Sequence, residues 1–201
     1  PAWLRFLATP FFGIMRMFMR RTATTATADG GGASSSSLTA AFASLKGFSA
    51  AEADVEALAR RVHEEHVEKS LFPDAKNTIQ MLKYDGYKIV LVGESPDFLL
   101  KPLGRALGVS RVIGNVAEIS FSSSSSFTGR LSPESTAVTS ETKAEKVKAF
   151  AAEVGVDLRK SVAYGSRGAE DAAMMECVGK AYAVSPDEGL KSTADEKGWK
   201  V

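Results

Sequence analysis

From residue 73 to residue 185, short apolar runs alternate with longer amphipathic stretches, and this alternation limits the fold more than any other feature of the chain. Pro73 opens a helix that Gly86 closes. Residues 87–92 (Tyr-Lys-Ile-Val-Leu-Val) then read as a buried strand. Gly93-Glu94-Ser95-Pro96 turns into a second helix, with Ser95 expected as its N-cap, Pro96 as its first residue and Gly108 as its end. Residues 112–121 and 127–131 flank a run of five serines and predict a β-hairpin. Further on, the pattern predicts a helix over 140–154, with Val147, Phe150, Ala151 and Val154 on one face. A strand over 161–165, a short helix over 170–177 and a strand over 180–185 follow. Strands alternating with helices imply an α/β fold, a Rossmann-like core with a mostly parallel sheet and a hairpin insertion. Such sheets bind ligands at the carboxyl ends of their strands, which directs attention to 93–95 and 165–171.

The first 70 residues differ in character and read as a helical cap region ahead of a core spanning 71–201. Residues 2–19 are rich in Trp, Leu, Phe, Ile and Met but are interrupted by Pro10, Arg5 and Arg16, which makes a poor membrane span. With Arg20 and Arg21 following, an amphipathic segment on a membrane or partner protein and a pair of packed cap helices are both compatible with it. Apart from Asp29, residues 22–37 are Thr, Ala, Gly and Ser and read as a low-complexity loop. Ser49-Ala50-Ala51-Glu52 has capping-box spacing, and Val55, Leu58, Ala59 and Val62 recur at helical spacing, predicting a helix over 50–69. His63 and His66 lie one turn apart on it. No third ligand accompanies them, so they read as packed histidines and not as a metal site.

The 201 residues carry a formal net charge of +1, which gives no field to draw in nucleic acid. One cysteine, Cys177, excludes an internal disulfide, and its apolar neighbours point to an inert thiol.

The order of several segments resembles the haloacid dehalogenase superfamily in its phosphoserine-phosphatase-like branch. Residues 85–96 (Asp-Gly-Tyr-Lys-Ile-Val-Leu-Val-Gly-Glu-Ser-Pro) are similar to the second motif, where a strand ends in a hydroxyl residue that holds phosphate. Phe127-Thr128-Gly129-Arg130-Leu131 looks like the hairpin of this branch. Thr142-Lys143-Ala144-Glu145 resembles the third motif, whose lysine neutralises phosphate and nucleophile. Residues 162–175 resemble the fourth motif, whose acidic residues hold magnesium. The closing residues 183–187 and Gly198-Trp199 also look like this branch.

Departures from the pattern matter as much. The superfamily's reaction needs an Asp-x-Asp first motif, whose first aspartate takes the phosphoryl group while the second acts as acid and base. No Asp-x-Asp occurs among these residues. Gly93 stands where the phosphate-binding hydroxyl belongs, and Ser166 stands where the first metal-binding aspartate belongs; Lys143 and Asp171 are retained. The resemblance also places the first-motif strand at the centre of the sheet. Because the chain opens at Pro1 on a cap-like segment, that strand is expected upstream.

Gly93, Glu94, Ser95 and Lys143 are therefore expected to form a vestigial phosphate pocket, and Ser166 and Asp171 a vestigial metal site, with Asp171 alone able to contribute to a metal. The function implied is a degenerate, pseudo-phosphatase domain that binds or supports a protein partner in a larger assembly. Residues 2–21 would tie that assembly to a membrane, and no cofactor would be needed. One alternative is a magnesium-dependent phosphomonoesterase with its nucleophile upstream, and another is a sensor for a phosphate ligand. An Ala/Ser/Thr-rich start suits import into a chloroplast or mitochondrion over the cytoplasm.

Overall fold

The computed structural model describes residues 35–122 and 124–201. Helix α1 (Ser35–Ala43) and helix α2 (Glu52–Val62) lead into α3 (Pro73–Tyr84). The α/β part follows as strand β1 (Val90–Pro96), helix α4 (Asp97–Leu107), strand β2 (Arg111–Asn115), hairpin strands β3 (Ala117–Phe121) and β4 (Ser125–Leu131), and helix α5 (Lys143–Val154). Strand β5 (Val162–Gly165), helix α6 (Gly168–Met175), strand β6 (Lys180–Ala183) and helix α7 (Glu188–Lys197) complete the chain. The apolar segment 2–19 and most of the loop expected over 22–37 lie outside the described residues, but 35–37 open α1 and are not loop.

Strand β1 is buried on both faces, as a parallel strand covered by helices must be. Leu91 packs one way against Ile79, Leu100, Leu103 and Leu107, while Val92 packs the other way against Ala163, Met174 and Met175. β1 pairs parallel with β2, and β5 pairs parallel with β6. No ladder joins β1 to β5 among the described residues. Between them lies an apolar groove of about 150 Å³ lined by Val90, Val92, Ala163 and Tyr164, with Ile79 of α3 and Phe150 of α5 over it.

A third cluster joins the helical region to the rest. Leu38, Ala41 and Phe42 of α1 pack with Leu45, with Ala59 of α2 and with Phe127 of the hairpin. Phe98, in the first turn of α4, stacks on Phe127 with ring centroids 5.4 Å apart. Each large apolar side chain removed from water here stabilises the fold by roughly 1.5–3 kcal/mol, so the hairpin and α1 are held to the turn that follows β1.

Several boundaries differ from the sequence expectation. β1 starts and ends later than 87–92: it runs through Pro96, whose backbone pairs with Asn115 beyond a register shift. Residues 111–115 form a strand of the parallel core, and only 117–121 make the first arm of the hairpin. Apolar residues recur on both sides of Gly114-Asn115 with no longer break, and the single exposed residue Val116 separates the two strands. The capping box does not form. Ser49 pairs with Ser126 in an isolated bridge, and Ala51 is the N-cap without a side-chain bond. The helix over 50–69 is wound as α only to Val62, then as a π turn over His63–Val67 and a 3-10 turn over Glu68–Ser70. Helix α7 was not expected from the sequence; Asp187 caps it by accepting the N–H of Leu190 and also accepts that of Gly168.

Asn115 was not singled out by the sequence either, yet it is fully buried and saturated. Its Nδ2 donates to the carbonyls of Glu94 (2.6 Å) and Val138 (2.9 Å), and its Oδ1 accepts the N–H of Val138 (2.7 Å). One amide thus ties the end of β1 to the segment leading into α5. Asn115→Leu would strand three buried backbone groups, and we expect it to lower unfolding free energy in urea by about 2–4 kcal/mol.

Candidate active site

The carboxyl ends of β1 and β5 converge on one buried cluster. Gly93, Glu94 and Ser95 lie at the end of β1 and are all buried. Ser166 follows β5, Glu170 and Asp171 sit in α6, and Lys143 is the first residue of α5. Lys143 arrives there because the preceding segment is closed on itself. The Thr142 hydroxyl donates to the Ala137 carbonyl and accepts the N–H of Thr139, and the N–H of Lys143 donates to the Thr139 carbonyl.

Lys143 Nζ donates to Asp171 Oδ1 at 2.9 Å, with side chains only 2% and 1% exposed. The other carboxylate oxygen, Oδ2, accepts the N–H groups of Ser166 (2.9 Å) and Arg167 (3.2 Å). Asp171 therefore pairs with the lysine and caps the turn after β5 at once. Gly165 makes this approach feasible, since a Cβ there would stand 2.5 Å from Met175 Sδ and 2.8 Å from Asp171 Cβ.

Glu94 completes the cluster in a different state. Glu94 is 6% exposed, its Oε1 has no hydrogen-bond partner among the described residues, and that oxygen lies 3.9 Å from Lys143 Nζ. That separation is too long for a hydrogen bond. Burial pushes the Glu94 carboxyl up to about 7 despite the opposing pull of Lys143, and Glu170, Asp171 and Glu141 push in the same direction as burial. Burial also raises Glu170, which lies 3.7 Å from Arg167 at the rim. Glu170 was missed from the sequence, although its place beside Asp171 in the first turn of α6 was a usable signal.

Two of the sequence expectations change. Ser95 is not an N-cap: it is buried within β1, Pro96 holds the N-cap position, and α4 starts at Asp97 without a side-chain cap. Asp171 is not disposed to hold a metal, because both its oxygens are committed to Lys143 and to backbone N–H groups. Ser166 offers no carboxylate, and no group of three His, Cys, Asp or Glu among the described residues could hold a metal ion. The described residues do not by themselves make a magnesium site. Cys177 is partly buried, and its thiol donates to the Ala173 carbonyl. His63 and His66 lie on the π turn far along the chain from the cluster, and burial lowers His63.

Glu94 retains its proton up to about 7 in the folded chain, whereas the ordinary carboxyl value is 4.5. The folded state therefore holds more protons between these values, and its stability falls as pH rises through them. The loss is at most about 3 kcal/mol between pH 5 and pH 8. Urea unfolding at the two pH values should show a steeper loss for the natural chain than for Glu94→Gln.

Comparison with known proteins adds the following. The family description "haloacid dehalogenase-like hydrolase" matches residues 1–176. Phosphoserine phosphatase SerB1 of Mycobacterium tuberculosis is 33% identical over 161 residues, which cover 80% of this chain and 50% of that protein. The inhibition of morphological differentiation protein of Streptomyces azureus is 30% identical over 135 residues, 67% of this chain and 47% of that protein. The chain thus spans about half the length of these curated relatives. Among solved structures, a Bordetella pertussis protein of unknown function superposes with a TM-score of 0.72 at 22% identity, over 94% of this chain and 79% of that one. A phospho-aspartyl intermediate analogue of phosphoserine phosphatase gives 0.61 at 23% identity, over 80% and 69%. At these identities the structures share a fold with this chain.

Proposed function

Because the chain belongs to the haloacid dehalogenase-like hydrolases, we propose that its pocket is a degenerate phosphatase site, kept for binding or for structural support of a protein partner. The observation that carries this reading is the state of Asp171. The resemblance to the fourth motif implies a metal-holding carboxylate at this place. Here it is spent on Lys143 and on the turn after β5. Ser166 offers no carboxylate, and Gly93 has no side-chain hydroxyl to donate to a phosphate. Charge stabilisation by metal and lysine accounts for most of phosphoryl-transfer catalysis, so losing it removes several kcal/mol of rate enhancement.

A second reading is favoured by the groove between β1 and β5 and by relatives that bear phosphatase names. A strand of the complete protein lying in that groove would bring its carboxyl end beside Lys143. If it carried an aspartate there, the site would regain a nucleophile, and the protein would act on a small phosphomonoester.

One assay separates the two readings: hydrolysis of an aryl phosphate by the full natural gene product with added magnesium, against Asp171→Asn. We expect no turnover above that control. Activity that Asp171→Asn abolishes would establish the phosphomonoesterase instead.

A further inference from the structure

Glu94 is the one group of the cluster whose chemistry is left open by the contacts around it. It is more than nine-tenths buried, yet Oε1 meets no donor. A buried carboxyl oxygen without a hydrogen-bond donor is costly, and only the ion-pair distance to Lys143 offsets that cost here. It stands directly after Gly93, which has no hydroxyl to offer a ligand. Three residues further on, α4 begins with no side-chain cap on its first-turn N–H groups, and uncapped N–H groups at a helix start are a favourable environment for an anion. Lys143 Nζ lies 3.9 Å away, and an ammonium has three donors, of which Asp171 takes one.

The charge count around that space is set by Glu94. Lys143 faces it from α5, Glu170 and Asp171 from α6, and Glu141 from the segment before α5. With Glu94 ionised, an anion placed beside Lys143 would meet an excess of buried negative charge. With Glu94 protonated, one repulsive charge disappears and an O–H donor takes its place.

We infer that Glu94 is an internal gate for tetrahedral oxyanions: as a carboxylate it keeps them from Lys143, and as a carboxylic acid it admits one and supplies the hydrogen bond that Gly93 lacks. This deepens the reading of the pocket as a binding site that does not turn its ligand over. Binding is then coupled to uptake of one proton on Glu94. The class of ligand is a phosphate or sulfate group, free or at the end of a small molecule.

Sulfate is the suitable probe, because its charge is constant across the pH range in which Glu94 titrates. Titration calorimetry of the full chain with sodium sulfate, at fixed ionic strength in two buffers of different ionisation heat, counts the protons. With Glu94 titrating at about 7, binding should be about tenfold weaker at pH 8 than at pH 6, with close to one proton taken up per sulfate at pH 8. Glu94→Gln should bind equally at both pH values with no proton uptake. Sulfate affinity of the natural chain that does not change with pH, binding without proton uptake, or no binding at pH 6 would each overturn the proposal. So would a folded Glu94→Gln that binds no sulfate. If that variant does not fold, the proton count of the natural chain decides. Phosphatase activity in the full gene product would remove the non-catalytic reading and leave the proton count to stand or fall by itself.

Discussion

A lysine ammonium buried to this extent has to be neutralised where it sits, and Asp171 does so at 2.9 Å. The pair is not an ornament on a finished fold. Lys143 opens α5, Asp171 lies in α6, and the second oxygen of Asp171 holds the backbone between β5 and α6. Removing one partner would leave an uncompensated buried charge, at a cost of about 3–5 kcal/mol. Lys143 and Asp171 thus satisfy each other's charge within the folded chain.

Around this pair the pocket is built by polar closure more than by apolar packing. Asn115 fixes the end of β1 against the segment before α5, and Thr142 and Thr139 fold that segment onto itself. Glu94 is the exception in an otherwise satisfied neighbourhood. Burial keeps its proton affinity high despite Lys143 Nζ at 3.9 Å.

The order of elements from 73 onward was legible in the sequence, because apolar period, Gly and Pro all pointed the same way. Gly108 and Gly155 adopt the left-handed conformation at the ends of α4 and α5, and Gly86 does so just past α3. That Gly93, Glu94, Ser95, Lys143, Ser166 and Asp171 would lie near one another at the carboxyl ends of β1 and β5 was legible for the same reason. Pairing was not. Residues 112–121 carry one uninterrupted strand pattern, yet they serve two sheets, and only tertiary hydrogen bonding distinguishes them. The capping box at Ser49 had the right spacing, but its serine is used by a bridge to Ser126. Asn115 looked like any turn-forming residue, since nothing local shows that a side chain will bond to segments more than twenty positions away in each direction. The unpartnered state of Glu94 is likewise a property of assembled geometry.

The two parallel pairs are each local in the chain. Val90 meets Arg111, and Val162 meets Lys180. Each pair closes over a single intervening helix, so the loop entropy of forming it is small and each half can assemble without waiting for the other. Joining the halves is a separate, long-range event, carried by Lys143 with Asp171 and by the side chains of α5. Val92 of the first unit packs on Ala163, Met174 and Met175 of the second, and the buried ion pair ties α5, which lies between the units in the chain, to the second of them.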